Sequence, residues 1–213
     1  VIRYRRDHSE QALTLPMMGP YNAYNALAAR EALQLLGFDD ARTAALFKNI
    51  PAPEGRFEWL RLKDLNVIID FAHTPDGLEK LLNAVKEINP RRARLITIFG
   101  CPGSRDASKR PMMGEAAIRL SDHVIITTDD IHYEEPESII ADITRGLKKS
   151  NFEVISDRRE AIHKGLQLAQ PGDFVIIAGR GHEKFQYIKD AKIPFVDKDV
   201  VREEAKILGF DRN

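Results

Sequence analysis

Short apolar runs rich in β-branched residues alternate with amphipathic stretches from residue 67 onward, and no other feature constrains the fold of this sequence as strongly. The runs predict buried strands, because a strand covered on both faces is apolar along its whole length. These strands are 67–70, 95–99, 124–127 and 174–178, with 152–155 as a weaker fifth. The stretches between them predict the helices 75–88, 111–120, 136–147 and 159–169. Right-handed crossovers between such elements give a doubly wound, mostly parallel α/β sheet of the Rossmann-like type.

The segment that precedes this sheet has a different organisation. Residues 20–36 carry apolar side chains at helical spacing, and Gly37 follows them as a helix stop. The cluster Pro51-Ala52-Pro53-Glu54-Gly55 has the composition of a turn or linker. We therefore predict a helical fragment over residues 1–55 and the α/β domain over residues 56–213.

The composition argues against several classes of function. Apolar residues make up 43% of the chain, and 32 basic side chains balance 32 acidic ones, so the net charge gives no reason to expect a nucleic-acid partner. No apolar run reaches the roughly 18 residues of a membrane span, and we expect no membrane partner. The single cysteine, Cys101, excludes an internal disulfide and favours a reducing, cytoplasmic location.

Polar segments follow the four main predicted strands. In open α/β sheets ligands bind outside the carboxyl ends of the strands, so these segments are the ones that can carry chemistry. They are residues 70–76, 100–110, 129–136 and 179–183, and together they contain acids, bases, glycines and three histidines. We expect them to converge at one edge of the sheet.

Single residues in these segments fit either a structural or a ligand-binding interpretation. Thr74 is suited to capping the helix that follows it. Asp70 closes a buried strand, where a carboxylate is costly unless it is paired or contacts ligand hydroxyls. Arg105 lies in a glycine-containing loop with Lys109 and Arg110, where backbone amides and cations can approach an anion.

The acidic run and the late glycine motif are less specific. Residues 129–135 hold four carboxylates, which form either a pocket or an exposed loop. The motif at 179–183 lacks the third glycine of a dinucleotide fingerprint, so a dinucleotide-binding oxidoreductase is the weakest alternative. No glycine precedes a lysine, so the sequence contains no Gly-Lys-Ser/Thr phosphate loop, and the histidines show no paired metal-ligand spacing. The sequence alone predicts no metal site and no catalytic residue.

Taken together and in order, the four segments resemble the carboxy-terminal domain of the Mur ligases, in particular the branch that makes the UDP-N-acetylmuramoyl tripeptide. Residues 70–76 are similar to the family's Asp-Tyr-Ala-His-Thr-Pro-Asp, and residues 99–111 to its Phe-Gly-Cys-Gly-Gly-Asp-Arg-Asp-Lys-Gly-Lys-Arg-Pro loop. Residues 127–132 and 179–183 are similar to Thr-Ser-Asp-Asn-Pro-Arg and Gly-Lys-Gly-His-Glu. Upstream, residues 19–29 resemble the end of the family's central ATPase domain, and Gly55-Arg56 resembles the junction between the domains.

The resemblance implies an ATP-dependent peptide ligase of peptidoglycan precursor synthesis, and so a role in cell-wall biogenesis and cell shape. ATP phosphorylates a substrate carboxylate, and the amine of an incoming amino acid attacks the acyl phosphate. The implied partners are a UDP-MurNAc dipeptide and a free amino acid, with ATP and with Mg²⁺ held mainly by the central domain. The implied ATP-binding residues are Asn22, Asn25, Arg56 and Asp70. The residues implied to bind the amino acid are Arg105, Asp129, Asp130, His132, Gly179 and Glu183.

Departures from the family pattern add further expectations. The phosphate loop and the modified lysine of the central domain have no counterpart, so we expect this chain alone to be inactive. Asp130 and His132 stand where the family has asparagine and arginine, and Arg180 stands where lysine is common. Loss of the forked arginine beside several acids favours lysine or ornithine over diaminopimelate as the incoming amino acid, unless Arg180 or another cation replaces that arginine. The alternatives are a folylpolyglutamate-type or cyanophycin-type ligase and a non-catalytic stand-alone binding module.

Overall fold

The structure is a computed structural model that describes residues 1–6, 9–89 and 93–210. The chain divides into two units, Val1–Pro53 and Glu54–Asn213. No helix in the described part of the chain is long and apolar enough to cross a membrane.

The first unit combines two strands and two helices: β1 (Ile2–Arg6), β2 (Ser9–Leu13), α1 (Pro20–Leu35) and α2 (Asp40–Asn49). The strands pair in antiparallel fashion. Helix α1 begins at a proline, whose missing amide proton costs nothing in a first turn, and Gly37 adopts a positive φ just after it ends. In α2 the Asp39 side chain caps the helix by accepting a hydrogen bond from the amide of Arg42 at 2.7 Å. Leu13, Ala26 and Phe47 form the core of this unit.

The second unit holds the remaining elements along the chain: β3 (Glu58–Leu62), β4 (Leu65–Asp70), α3 (Pro75–Glu87), β5 (Leu95–Phe99), α4 (Lys109–Leu120), β6 (His123–Ile126), α5 (Pro136–Thr144), β7 (Phe152–Val154), α6 (Arg158–Leu168), β8 (Phe174–Ala178), β9 (Phe185–Ile188), β10 (Ala191–Pro194) and α7 (Asp197–Ile207). Six strands form one sheet in the order β3-β4-β8-β5-β6-β7, with only the pair β3 and β4 antiparallel. Strands β9 and β10 pair separately. The predicted mostly parallel α/β sheet is thereby confirmed.

Helices cover both faces of the sheet. Successive side chains of a strand point to opposite faces, so a strand that is apolar along its whole length must be covered on both. Ile98 of β5 packs with Ile162 of α6 and Val201 of α7 in one apolar cluster. Its neighbour Thr97 points the other way and is hydrogen-bonded at 2.7 Å to Ser121, the residue that ends α4.

Several predicted boundaries differ from the structure by a few residues. Helix α5 ends at Thr144 and not at residue 147, because Gly146 adopts a positive φ of 79°. Helix α4 begins at Lys109, two residues before the predicted start. The sequence interpretation missed the helices α2 and α7 and the strands β1, β2, β3, β9 and β10; these strands are short and lack a continuous apolar run. The predicted helical fragment over residues 1–55 is therefore not only helical, because it also contains the antiparallel pair β1 and β2.

Candidate functional site

The polar segments begin at the same level of the sheet. Strands β4, β8, β5 and β6 are parallel neighbours, and their last residues stand side by side: Asp70 pairs with Ala178, Ala178 with Phe99, and Phe99 with Ile126. The residues that follow these four strands therefore emerge together at the carboxyl edge, where open α/β sheets bind ligands.

A cavity of about 450 Å³ lies at this edge. Its walls are formed by Phe71, His73, Pro102, Arg105, Asp106, Lys109, Asp129, Asp130, His132, Gly179 and Glu183. All six residues that the resemblance implied for amino-acid binding are among them, so the structure brings that whole set together in the second unit. The sequence interpretation had not singled out Phe71, Pro102 and Asp106.

Two buried arginines offset the negative charge of the acids in this cavity. The Arg180 side chain is fully buried, and its Nη1 forms an ion pair with Asp130. The same nitrogen lies 3.6 Å from a carboxylate oxygen of Asp129 and 3.8 Å from one of Glu183. Arg158, also fully buried, contributes positive charge to Asp129 and Glu183 from farther away. The acids are therefore not the unpaired group on which the expectation of a lysine-type substrate depended.

Arg158 also joins three elements beneath the cavity. Its Nε and Nη2 donate to the two oxygens of Asp197, each at 2.8 Å, at the start of α7. Its terminal nitrogens donate to the carbonyl oxygens of Thr128 and Ala178 at 3.3 and 3.2 Å, where β6 and β8 end. Helix α6 begins at this residue, one position before the predicted start, so the sequence interpretation missed its role.

Burial shifts the protonation equilibria of two carboxyls in the cavity. Loss of hydration raises the pKa of Asp129, and the charges of Arg158 and Arg180 oppose the shift. Burial, followed by repulsion from Asp129 and Asp130, raises the pKa of Glu183 to about 7. Near neutral pH the Glu183 carboxyl is therefore present in both protonation states, and a cationic group placed next to it favours the ionised form.

The three basic residues of the loop 100–110 lie in different environments. Arg105 is exposed at the cavity wall, and Lys109 Nζ donates to the carbonyl of His73 at 2.9 Å. Arg110 was expected to supply charge to an anion, but its side chain is buried and paired with Glu134 at 2.8 Å and Asp142 at 3.0 Å. The structure thus leaves Arg105 and Lys109 as the basic residues of the cavity and removes Glu134 from its acids.

Glycines at the cavity are required by close backbone approach. A Cβ on Gly103 would overlap the carbonyl oxygen of Ile131, because the Gly103 amide donates to the carbonyl of Asp130 at 2.7 Å. Gly179 has a φ of +114°, and a Cβ there would stand 2.7 Å from a carboxylate oxygen of Asp129. Both positions bring loop backbone against the acids, which a side chain would prevent.

The residues implied for ATP binding lie in two groups, one in each unit. Asn22 and Asn25 stand one turn apart on α1, where the side-chain Nδ2 of Asn22 donates to the carbonyl of Met18 at 2.7 Å. In the second unit the Asp70 carboxylate accepts from the amide of Phe57 at 2.7 Å. The neighbouring Arg56 lies over the ring of Phe71 at 4.5 Å. Arg56 and Asp70 are thus brought close to each other beside the cavity.

Metal binding is a further chemical possibility for the acids. Asp129, Asp130 and Glu183 offer carboxylate oxygens within 4.8 Å of one another, a spacing that a metal ion could use. The guanidinium of Arg180 already lies among these oxygens, so a divalent cation would meet like charge. A singly charged ammonium group meets less of this repulsion than a divalent cation does, so the donor set is better suited to an ammonium group or to the arginine it already holds.

A larger groove in the first unit has a different character. It encloses about 560 Å³ between α1 and α2 and is lined by Leu33, Arg42, Ala45, Leu46, Phe47, Asn49 and Ile50. These side chains offer contact area but little acid or base chemistry, so the cavity at the sheet edge is the candidate site.

Comparisons with known proteins show which family the chain resembles over most of its length. A family model described as "Mur ligase, glutamate ligase domain" matches residues 55–181. A UDP-N-acetylmuramoyl-L-alanyl-D-glutamate–2,6-diaminopimelate ligase 2 of Clostridium acetobutylicum is 44% identical over 205 residues, which cover 95% of this chain and 42% of the relative. The solved structure of a ligase with the same substrate description matches with a TM-score of 0.71 and 35% identity, over 95% of this chain and 42% of that one.

More distant structures share the fold alone. A folylpolyglutamate synthase of Mycobacterium tuberculosis matches 94% of this chain and 42% of its own with a TM-score of 0.65 and 20% identity. The chain spans about two fifths of the length of the curated relatives it matches.

Proposed function

Because this chain belongs to the Mur ligase family, we propose that it supplies the amino-acid-binding domain of an ATP-dependent ligase that extends a UDP-MurNAc dipeptide in peptidoglycan precursor synthesis. The observation that carries this proposal is that one cavity is lined both by Arg105 and by the acids Asp129, Asp130 and Glu183. A zwitterionic amino acid needs both kinds of partner within one site. On this proposal residues 1–55 are the end of the central ATPase domain, residues 56–213 are the carboxy-terminal domain, and the enzyme works in the cytoplasm.

The residues of the cavity divide the work of binding by charge. Arg105 binds the α-carboxylate of the incoming amino acid, because a guanidinium forms two parallel hydrogen bonds to such a group. Glu183 and Asp129 attract ammonium groups. A bound ammonium lowers the raised pKa of Glu183 and so favours the ionised carboxylate. In the reaction the deprotonated amine forms a bond to the carbonyl carbon of the acyl phosphate, and the bond from that carbon to the phosphate oxygen breaks.

For ATP we propose Arg56 and Asp70 in the second unit, and Asn22 and Asn25 in the first, as binding residues. It supplies the phosphoryl group that activates the dipeptide carboxylate. The Arg56 guanidinium has the charge to approach phosphates, and Asp70 lies at a strand end suited to ribose hydroxyls. We assign Mg²⁺ mainly to residues outside this cavity, since its acids already pair with arginines.

We propose diaminopimelate as the incoming amino acid. The names of the relatives support this choice. The expectation of lysine or ornithine assumed unpaired acids, and it loses that basis because Asp130 pairs with Arg180 and Glu134 pairs with Arg110. Lys109 and Arg105 also give the cavity cationic partners for two carboxylates.

The chain by itself is proposed not to turn over, because its sequence contains no Gly-Lys-Ser/Thr loop to grip the triphosphate. The activity is therefore tested in the ligase that contains this chain. We expect magnesium-dependent incorporation of diaminopimelate into the UDP-MurNAc dipeptide, with clear preference over lysine and ornithine at equal concentration. Equal or greater incorporation of lysine would overturn the choice of amino acid while leaving the ligase reaction itself in place.

Arg105→Ala tests the assignment of the cavity. We expect the KM for the amino acid to rise by about thirtyfold or more, because a lost charged hydrogen-bond pair costs about 2–5 kcal/mol, with little change in the KM for ATP. Arg145→Ala is the matched control, since that arginine is 71% exposed and lies outside the cavity. An equal rise in the KM values for both substrates would contradict a role for Arg105 in amino-acid binding.

A further inference from the structure

A buried ion pair lies beside the amino-acid cavity. Asp130 and Arg180 are 50 residues apart in sequence, and in the fold their side chains pair with each other. His132, two residues after Asp130, lies on the wall of the same cavity.

The ion pair fastens the β9 and β10 segment to the loop after β6. Asp130 Oδ1, which faces Arg180, also accepts from the amide of Tyr187 at 3.1 Å. The other terminal nitrogen of Arg180 donates to the carbonyl of Phe185. A fork with two nitrogens can serve the carboxylate and the carbonyl together, which the single ammonium of a lysine does less well. Gln186 adds a donor to the carbonyl of Asp129 at 2.9 Å.

The fastened segment in turn holds His132. The His132 amide donates to the carbonyl of Tyr187 at 3.1 Å, and the His132 carbonyl accepts from the amide of Lys189 at 2.6 Å. The rings of His132 and Tyr187 are stacked, with centroids 5.8 Å apart and planes 18° from parallel. These contacts keep His132 at a φ of +50°, a conformation that is disfavoured for a residue with a Cβ and that persists only under constraint.

We propose that Arg180 and Asp130 are positioning residues which, through the β9 and β10 segment, set the place of His132 in the amino-acid cavity and so determine selectivity for the side chain of the incoming amino acid. This inference rests on the proposed function. Arg180 does not itself replace the family arginine as an anion clamp, because its side chain is fully buried and its terminal nitrogens are bound by Asp130 and Phe185. The ligand class is an amino acid with a polar group at the end of its side chain, which His132 and Glu183 would face across the cavity.

The test is a double-mutant cycle in the ligase that contains this chain. Asp130→Asn removes the negative charge of the pair, and Arg180→Lys keeps the positive charge but removes the fork that serves Asp130 and Phe185 together. We expect each single variant to raise the KM for diaminopimelate about tenfold, with kcat and the KM for ATP within about twofold, and the double variant to raise it no further, because both substitutions disrupt one arrangement of contacts. Arg159→Lys is the control, because it makes the same exchange at an arginine that is 46% exposed and outside the cavity.

Hydrogen exchange of the 213-residue chain gives a readout that does not depend on turnover. The amides of Tyr187 and Lys189 should exchange about tenfold faster in each single variant, while amides of β5 keep their wild-type protection. Additive effects of the two substitutions on KM would overturn the inference. Faster hydrogen exchange at Lys189 with an unchanged KM would overturn it as well. If the wild-type ligase incorporates no amino acid, the proposed function fails, and this result differs from a working ligase that is insensitive to both substitutions.

Discussion

Removal of Arg158 is expected to destabilise the second unit more than removal of any exposed arginine. Its side chain and that of Asp197 have no exposed surface, and two hydrogen bonds of 2.8 Å join them. Arg158→Ala leaves the Asp197 carboxylate buried without its partner and frees the carbonyls of Thr128 and Ala178. One of the two positive charges that offset Asp129 is lost as well.

The size of the effect follows from the burial of the pair. Breaking a buried ion pair by removing one partner costs about 3–5 kcal/mol, because the remaining charge is desolvated and uncompensated. For a chain of this size that cost lowers Tm by about 6–20 °C. The adjacent Arg159 contacts Glu203 and Glu204 but is 46% exposed, so Arg159→Ala should cost no more than about 1 kcal/mol.

The assay uses the single tryptophan of the chain. Trp59 lies on β3 and packs on Phe174 with ring centroids 5.8 Å apart, so its fluorescence reports unfolding of the second unit. Denaturant unfolding of Arg158→Ala, Arg159→Ala and wild type gives the two free-energy differences. Arg158→Met with Asp197→Leu should recover most of the loss, since an apolar pair of similar volume replaces a buried ion pair at little cost. Equal destabilisation by the two alanine variants would refute the reasoning.

Two further predictions concern the cavity. Because the pKa of Glu183 is raised from 4.5 to about 7, this carboxyl stabilises the fold below pH 4.5 and loses that contribution as the pH rises to about 7. Wild type should therefore lose unfolding free energy over this interval relative to Glu183→Gln, and parallel pH profiles would argue against the shift. Gly103→Ala should cost about 1–3 kcal/mol or more of unfolding free energy, since its Cβ overlaps backbone at Ile131. Gly146→Ala has open space around it and should cost about 1 kcal/mol. Thermal unfolding measures both losses, and equal losses would contradict the overlap.

The sheet and its binding edge could be predicted because both depend on local sequence. A strand buried on both faces must be apolar throughout, so β5 and β8 were predicted at the bounds that the structure gives. Parallel strands bring their carboxyl ends to one edge, which is why segments far apart in sequence were expected to meet. The cavity that joins Arg105 to Glu183 follows from that geometry.

The partners of the charged side chains could not be predicted in the same way. Arg180 and Asp130 are about 50 residues apart, and no local pattern distinguishes a buried pair from two exposed charges. Arg110 illustrates the difficulty, because it shares the glycine loop with Arg105 but turns inward to Glu134. The β9 and β10 segment escaped notice because its stability depends on tertiary contacts and not on an apolar run.

The central claim is that the cavity at the sheet edge binds the incoming amino acid, and amide chemical shifts of the 213-residue chain test it most directly. All the lining residues that the structure describes belong to the second unit, so the chain brings them together by itself. On titration with diaminopimelate to millimolar concentration, we expect saturable shifts in residues 102–109, 129–132 and 179–183, and we expect Arg105→Ala to abolish them. Saturable shifts confined to the groove between α1 and α2, or no shifts in those three segments, would contradict the claim.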